Sequence, residues 1–358
     1  MPGVYVSYPF CAQKCTYCNF ASGVFPRELE GKYLSALRAE LRAAIWPWTP
    51  DTVYLGGGTP SQMDPQALAE LLAEIPGRPQ GEKWSEATIE AAPGTVTFEK
   101  AAAWVRAGIN RVSLGVQSFM TPELARTGRK HTAGIVEREV ALLREAGIES
   151  INLDLIAGLP GQTRASWSES LDWVERLGAP HVSVYMLEVD EDSRLGREIL
   201  TSGTRYGAAE VPADDDIADF YEIAVQRLAG MGIERYEISN FARPGFESRH
   251  NLKYWRREPY LGFGADAHSF DGVMRWQNPE PVAGYVAGFP APERAPADPK
   301  AEKFFLGLRL REGVQSSEFP EVIDRFEREG LLERSDGRVR LTPRGVLLSN
   351  EVFAEFVV

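Results

Sequence analysis

Short apolar segments alternate with amphipathic segments along the first two thirds of the chain. Residues 4–8 alternate in polarity and are rich in β-formers, while residues 27–45 carry leucines and aromatics at helical spacing. Five further strand-like segments follow in the same rhythm, at residues 52–55, 87–91, 111–117, 151–156 and 181–187. Strands that alternate with helices form parallel βαβ units. The pattern therefore predicts an α/β fold, a partial (β/α)6 barrel of the TIM type.

Residues that begin and end helices support this interpretation. Asp64 and Pro65 suit the first two positions of the helix after the second strand. Gly108 and Gly147 follow two later helical segments and suit their carboxyl ends. The sequence therefore predicts where one of these helices begins and where two others end.

After the sixth strand the pattern changes. We expect a long loop or excursion at residues 188–212, a helix at 214–229 and one more strand at 236–240. Residues 259–299 are rich in Pro, Gly and Ala and predict irregular structure with short strands, whereas the last segment resembles a small winged-helix unit of α+β type. The expected domains are residues 1–241 for the barrel, 242–300 for an irregular linking region and 301–358 for the winged-helix-like domain.

The composition narrows the possible partners. The net charge of the 358 residues is −12, so the surface should repel polyanions, and nucleic acid is not an expected partner. The winged-helix-like tail does not change this expectation, because acidic residues outnumber basic ones there. No apolar run is long enough for an integral membrane segment and no basic leader precedes the first strand, so we expect a cytoplasmic protein.

All three cysteines, Cys11, Cys15 and Cys18, lie on one loop after the first strand. Three thiolates so close together suit an iron–sulfur cluster or zinc, and either metal normally takes a fourth ligand. A disulfide would leave one cysteine over, and no histidine lies at the short spacing of zinc motifs. A [4Fe–4S] cluster would use the three cysteines and leave one iron open for a small molecule.

Several polar or glycine-rich positions fall at or just beyond predicted strand ends, where the loops of a parallel barrel open on one face. The glycines at 56–58 let a ligand approach the backbone, and Arg129 could hold a carboxylate. Glu90 and Asp154 lie among apolar residues and need polar partners, such as sugar hydroxyls or an ammonium group. A structural turn and a solvated arginine remain the plainer interpretations of these glycines and of Arg129.

The cysteine loop, with its x3 and x2 spacing and Tyr17 before the last cysteine, resembles that of the radical S-adenosylmethionine (SAM) superfamily. Residues 9–11, 56–60, 115–119 and 154–162 resemble, in order, the motifs of the oxygen-independent coproporphyrinogen III oxidase group. The resemblance implies that Cys11, Cys15 and Cys18 bind the cluster. It also implies a set of residues that contact SAM: Tyr5, Tyr17, Gly57, Gly58, Thr59, Glu90, Gln117, Arg129 and Asp154.

Within this group the chain is most similar to the haem chaperone HemW family. Only ten residues precede Cys11, the dehydrogenases' further cysteine after the loop is replaced by Asn19-Phe20, and a His-Asn-x-x-Tyr-Trp motif is present. The resemblance implies that this motif lies near haem, which gives four haem-proximal candidates: His250, Asn251, Tyr254 and Trp255. A structural role at the end of the barrel is the alternative for the motif.

The expected function is therefore that of a haem chaperone with a SAM-coordinated [4Fe–4S] cluster, which carries haem as cargo to an acceptor protein and needs an electron donor for the cluster. No catalytic residue is assigned. The alternatives are a coproporphyrinogen III dehydrogenase, which decarboxylates oxidatively through a 5′-deoxyadenosyl radical, and a radical SAM protein that acts on nucleic acid.

Overall fold

Six parallel strands form the centre of the protein, described here by a computed structural model for residues 2–76, 84–288, 292–315 and 318–357. They are β1 (Gly3–Tyr8), β2 (Thr52–Gly57), β3 (Glu86–Ala91), β4 (Arg111–Gln117), β5 (Ser150–Ala157) and β6 (His181–Met186). They pair in sequence order from β1 to β6, and every pair is parallel. This is the partial (β/α)6 barrel that the alternating pattern predicts.

Helices connect these strands and cover the outer face of the sheet. They are α1 (Arg27–Ala43), α2 (Pro65–Leu72), α3 (Phe98–Ala107), α4 (Thr121–Arg126), α5 (Ala133–Glu145) and α6 (Arg164–Leu177). Asp64 caps α2 by accepting hydrogen bonds from two backbone amides, and Gly108 ends α3 in the left-handed conformation. Trp104 and Trp167 are fully buried on the inward sides of α3 and α6. The apolar core thus lies between the helices and the sheet.

The opposite, inner face of the sheet is polar. Because side chains alternate along a strand, Tyr5, Tyr54, Glu90, Ser113 and Asp154 all belong to this face. A polar lumen of this kind differs from the apolar layers that fill most TIM barrels. The inner face is where a polar ligand can be held.

The segment after β6 is an excursion with structure of its own, as expected from the break in rhythm. It contains α7 (Arg194–Leu200) and a 3-10 helix (Arg205–Glu210), and α8 (Asp214–Gly230) follows it. No helix in the described ranges has the length and apolar character needed to cross a membrane.

The prediction of one strand at residues 236–240 is wrong. Two short strands, β7 (Glu234–Arg235) and β8 (Asn240–Ala242), form a hairpin here, and residues 236–239 are its turn. Ser239 and Asn240 bond the Glu237 carboxylate, so local side-chain bonds favour the turn over a continuous strand. β8 extends the main sheet by pairing antiparallel to β6.

The region 242–300 contains the short strands expected for residues 259–299, but it also holds two helices and continues the main sheet, so it is not the irregular link that we expected. It contains α9 (Arg249–Trp255), β9 (Tyr260–Phe263), β10 (His268–Phe270), β11 (Met274–Gln277), α10 (Val282–Ala287) and β12 (Ala295–Pro296). β9 pairs parallel to β1, and β10 to β12 continue the same sheet as antiparallel neighbours. Each of these strands has four residues or fewer, which is too short for a polarity pattern to show where the strand begins and ends. Positions 289–291 lie outside the described residues.

The last segment forms a small α+β unit of winged-helix type. Its elements are α11 (Pro299–Gly307), β13 (Val314–Gln315), α12 (Pro320–Arg328), β14 (Leu332–Ser335), β15 (Arg338–Leu341), α13 (Pro343–Leu347) and α14 (Ser349–Ala354). β13, β15 and β14 form an antiparallel sheet. Phe304, Phe319 and Phe356 pack against one another as the aromatic core of the unit.

Candidate functional site

The cysteine loop lies at the carboxyl end of β1 and is hydrogen-bonded to the glycine loop after β2. Gly58 N donates to Tyr8 O at 2.8 Å, and Thr59 N donates to Phe10 O at 2.9 Å. A Cβ on Gly58 would lie 2.7 Å from Phe10 O and 2.8 Å from Pro9 C, closer than real Cβ atoms approach. Glycine at position 58 is therefore required for the contact between the two loops.

The other side of the cysteine loop is held by α4 and by the excursion after β6. Thr16 N donates to Thr127 O at 3.3 Å, and Leu195 N donates to Thr16 O at 2.9 Å. The exposed Asn19 side chain donates to Asp190 at 3.0 Å. The loop is thus bonded to residues far apart in sequence, which fixes its path.

The three thiols are all half-buried and electrostatically close to one another. Burial raises the pKa of the Cys11 thiol, and hydrogen bonds with Thr59 and Ser22 act in the opposite direction. No group of three or more His, Cys, Asp or Glu side chains in the described ranges is arranged around a single metal ion. A four-iron cluster has a different requirement, because each thiolate binds its own iron. The donor set therefore fits a cluster with three protein ligands better than zinc.

Gln117 and Arg129 lie together beside the cysteine loop. Gln117 has a φ of 69°, at a bulge where the pairing of β4 with β5 shifts. Arg129 donates to Gly115 O at 2.6 Å. Burial works to lower the pKa of Arg129, but Tyr17 and Cys15 outweigh it and raise that pKa. The guanidinium is therefore charged, although it is largely enclosed.

Buried polar atoms without partners cluster at the same place. Gln117 Oε1, Arg129 Nε and His131 Nε2 are buried and have no hydrogen-bond partner among the described residues. Such atoms are rare in native proteins and usually have a ligand, an ion or a water molecule as partner. A ligand with a carboxylate and hydrogen-bonding groups, such as SAM, would satisfy this part of the site.

Glu90 lies on the inner face next to the glycine loop. Tyr54 donates its hydroxyl to one Glu90 oxygen at 2.9 Å, and Gly57 N donates to the other at 3.1 Å. Burial and the nearby Asp154 carboxylate raise the pKa of Glu90 to about 7. Two carboxylates enclosed together in the lumen make this the natural position for a cationic group of a ligand.

Asp154 lies on the same inner face, in a network of hydroxyl and amide groups. Ser113 donates to one carboxylate oxygen at 3.0 Å and Asn152 donates to the other at 2.7 Å. Burial raises the pKa of Asp154, and the bonds from Ser183, Ser113 and Asn152 lower it in part. The network borders a polar cavity of about 10 Å³, enough for one water molecule, lined also by Tyr54 and Asn251.

The structure brings most of the predicted SAM residues to one end of the barrel. Tyr5 stacks on Tyr54 with ring centroids 6.1 Å apart, and Tyr17 lies beside Arg129 and Cys15. Sequence patterns did not single out Tyr54 or His131. His131 is only 6% exposed, and burial and Arg129 lower its pKa to about 4. Only the fold reveals that these two side chains border the site.

The His-Asn-x-x-Tyr-Trp motif lies on α9, at the amino ends of the strands and away from the cysteine loop. His250 is 0% exposed; its Nδ1 is hydrogen-bonded to Thr52 at 2.9 Å and its Nε2 to Tyr254 at 2.7 Å. The buried Glu86 carboxylate accepts hydrogen bonds from the first turn of α9, including His250 N at 2.9 Å. Trp255 packs under Arg309 of the tail domain at 4.4 Å. The motif thus closes the end of the barrel, and its proximity to haem stays a prediction.

Two family models match the chain. A model described as the radical SAM superfamily matches residues 5–174, which include the cysteine loop and β1 to β5. A model described as the HemN C-terminal domain matches residues 295–348 in the winged-helix-like unit.

Curated relatives match the chain over its full length. The chain is 36% identical to a protein named haem chaperone HemW from Bacillus subtilis, covering 100% of this chain and 99% of the relative. It is 31% identical to a protein of the same name from Haemophilus influenzae, covering 99% and 97%. Among solved structures, coproporphyrinogen III oxidase (HemN) from Escherichia coli has a TM-score of 0.82 at 22% identity, covering 99% of this chain and 90% of that one. That structure establishes the shared fold, a barrel with a C-terminal domain.

Proposed function

This chain belongs to the haem chaperone HemW family of radical SAM proteins, and we propose that it binds haem and passes it to an acceptor protein. The observation that carries the proposal is the full-length similarity to several HemW proteins from different bacteria, combined with the radical SAM domain. The domains we propose are residues 1–241 for the barrel, residues 242–300 for the region with the His-Asn-x-x-Tyr-Trp motif and the strands β9 to β12, which we call the sheet extension, and residues 301–358 for the tail.

The cofactors are a [4Fe–4S] cluster and SAM, as in other radical SAM proteins. We propose Cys11, Cys15 and Cys18 as the cluster ligands. Their clustering on one bonded loop supports this assignment, as does the partial burial of all three thiols. A reduced cluster with SAM bound supplies one-electron chemistry; the chain supplies ligands and a shielded position.

The SAM contacts are assigned from charge and position. Arg129 would hold the SAM carboxylate through its charged guanidinium, and Glu90 would accept a hydrogen bond from the SAM ammonium group. Gln117 carries beside them an oxygen that has no hydrogen-bond partner in the part of the chain that the structure describes. The methionine part of SAM would contact the backbone of Gly57, Gly58 and Thr59. Asp154 would bind the ribose hydroxyls, and Tyr17 would lie against the adenine, with Tyr5 close to SAM.

The partners beyond haem are an acceptor protein and an electron donor for the cluster. Both follow from the proposed activity, since a chaperone must deliver its haem and a radical SAM cluster is active only when reduced. A donor would approach the cysteine loop, whose Phe20 is 65% exposed next to the Asn19–Asp190 bond.

The test is haem binding and transfer by protein that carries its cluster. Wild-type protein should bind ferric haem in a saturable way and pass it to an apo-haemoprotein, measured by recovery of the acceptor's activity. Equal transfer from a heat-denatured sample would contradict the proposal.

Turnover with coproporphyrinogen III provides the second arm of the test. With SAM and a strong reductant under anaerobic conditions, we expect no loss of carboxyl groups by mass spectrometry. Decarboxylation at catalytic yield would show that the protein is an oxidative decarboxylase instead.

A further inference from the structure

The end of β4 contains a strained turn at Gln117, one of the proposed SAM contacts. The φ of Gln117 is 69°, in the left-handed region that residues other than glycine seldom adopt. Ser118 N donates to Val116 O at 2.9 Å, so the turn closes around this single residue. The bond and the positive φ together define a rare and strained form of γ-turn. Such strain persists only where surrounding contacts hold the backbone, and it is concentrated at functional sites.

Two of the proposed SAM contacts, Gln117 and Arg129, lie close together at this turn. Each has a buried side-chain atom without a hydrogen-bond partner in the described part of the chain. A Cβ on Gly115 would lie 3.3 Å from Gln117 Nε2 and 3.6 Å from Arg129 Nη2, so both side chains pass over this glycine. Arg129 also donates to the carbonyl of Gly115, two residues before the turn. Relaxation of the turn would therefore displace Gln117 together with the acceptor that holds Arg129.

The residue after the turn is bonded to a buried carboxylate. Ser118 is 0% exposed, and Glu123 in the first turn of α4 is 2% exposed. Ser118 Oγ donates to Glu123 Oε2 at 2.6 Å and accepts from Met120 N at 2.9 Å. A length of 2.6 Å is typical of a hydroxyl that is bound to a carboxylate. One end of the strained turn is thus fixed by a side-chain bond as well as by its backbone.

The same oxygen of Glu123 is bonded to the loop after β5. Gln162 is 5% exposed, and its Nε2 donates to Glu123 Oε2 at 3.3 Å and to Ile156 O at 3.2 Å. Gln162 Oε1 in turn accepts from Gly158 N at 2.6 Å. The carboxyl ends of β4 and β5, which carry several of the proposed SAM contacts, are therefore joined through one buried carboxylate.

The helix that carries Glu123 also holds the cysteine loop, but through its backbone. Thr16 N donates to Thr127 O at 3.3 Å, and Thr16 Oγ1 donates to Arg126 O at 3.4 Å. The side chain at the beginning of α4 thus supports the SAM turn, while carbonyls at its end support the cluster loop. A change to the Glu123 side chain can therefore affect the SAM turn and leave the bonds to the cluster loop in place.

We propose that Glu123 is a positioning residue for SAM, which acts through Ser118 by stabilising the strained turn and thereby places Gln117 and Arg129. The proposal rests on the proposed SAM contacts of these two residues. Without the bonds to Glu123, the turn is free to relax to a negative φ, which would move the Gln117 side chain out of the site.

The experiment measures SAM binding by full-length, cluster-loaded protein, from the change that SAM causes in the electron paramagnetic resonance spectrum of the reduced cluster. Glu123→Met removes the shared acceptor and should weaken SAM binding about tenfold, the scale seen when a residue that orients a ligand group is lost. The iron content and the SAM-free spectrum should match those of the wild type, because α4 bonds the cysteine loop through carbonyls. Glu123→Gln keeps an oxygen for both donors and should restore most of the affinity.

Two further variants make the test specific. Ser118→Ala should weaken SAM binding to a similar degree, and it decides the matter alone if Glu123→Met does not fold. The double variant should bind SAM about as well as either single variant, because both changes remove the same bond. The matched control is Glu139→Met in α5, where the 3% exposed carboxylate accepts from Gly94 N at 2.9 Å and Val96 N at 2.8 Å. It should lower the melting temperature without changing the SAM affinity.

The contrary outcomes separate the proposal from its premise. Wild-type SAM affinity in Glu123→Met or in Ser118→Ala, together with weak binding by Gln117→Ala, would overturn the proposal and leave the proposed SAM contacts intact. Additive losses in the double variant, or an equal loss in Glu139→Met, would also overturn it. A wild-type spectrum that does not respond to SAM would overturn the assignment of the SAM site itself.

Discussion

At the scale of single residues, Glu90 is the side chain whose ionisation the fold disfavours most clearly at neutral pH. Its pKa in the folded protein is about 7, against an ordinary value near 4.5. Between these two pKa values the Glu90 carboxyl is ionised in the unfolded chain but still protonated in the folded chain, so the free energy of unfolding falls as the pH rises. The loss is about 3 kcal/mol above pH 7.

We therefore expect Glu90→Gln to raise the melting temperature of SAM-free protein at pH 8 by several degrees, because glutamine cannot ionise. Near pH 5 the two proteins should melt together, since Glu90 is then neutral. Thermal unfolding at a series of pH values measures this. Glu99→Gln, on the exposed side of α3, should show no such trend. A pH-independent gain for Glu90→Gln would mean that the carboxylate is not desolvated.

Gly58 can be tested in the same way because the chain offers a matched glycine. Gly58→Ala places a Cβ against backbone atoms of Pro9 and Phe10, which cannot move without displacing the cysteine loop. We expect a loss of about 1–3 kcal/mol in stability and a fall in iron bound per chain. Iron analysis after anaerobic reconstitution measures the second effect.

The control is Gly134→Ala in α5, where a Cβ would meet no atom within 4 Å. This change should leave the iron content unchanged and stabilise the helix by about 0.5–1 kcal/mol. Equal iron content in both variants would show that the two loops do not depend on their close contact.

At the scale of elements, the strands and helices of the barrel could be predicted because each is long enough to show its period. β4 is observed at Arg111–Gln117, the same bounds that the pattern predicts. Short strands were expected between residues 259 and 299, but the bounds of β9 to β12 could not be predicted, since these strands have between two and four residues each. Their positions depend on pairing with β1, which no local pattern encodes.

The candidate site was predictable to a similar extent. Spacing and residue type single out Cys11 and Glu90, because thiols and buried carboxylates have few other uses. Tyr54 and His131 were not predictable, since an aromatic residue in a strand and a histidine before a helix are common.

The excursion after β6 is an element with a specific role, since α7 bonds the cysteine loop through Leu195 N. Leu195 is 0% exposed, and Leu195→Ala should cost about 2–5 kcal/mol locally. We expect faster hydrogen exchange in residues 11–20 and faster loss of the cluster in air. Leu200→Ala in the same helix is the control, because Leu200 is 63% exposed. Unchanged exchange in the loop of Leu195→Ala would show that the excursion does not hold it.

At the scale of the whole molecule, the tail domain is joined to the sheet extension by a buried ionic contact. Glu302 of α11 is 5% exposed and accepts hydrogen bonds from Arg257 at 2.8 Å and from Arg275 at 2.6 Å. Burial raises the pKa of Glu302, but these two arginines outweigh it and lower that pKa overall. The carboxylate is thus charged, and both arginines depend on it.

Loss of the Glu302 carboxylate should cost about 1–3 kcal/mol, because it removes charged hydrogen bonds from Arg257 and Arg275, whose side chains are 21% and 31% exposed. Glu302→Gln should therefore separate the unfolding of the tail from that of the barrel, giving two calorimetric transitions where the wild type has one. The control is Glu333→Gln, which breaks an ion pair between Glu333 and Arg340 on the surface of the tail. The Glu333 side chain is 45% exposed, so this change should alter the free energy of unfolding by less than about 1 kcal/mol. A single transition in Glu302→Gln would show that the tail docks without this contact.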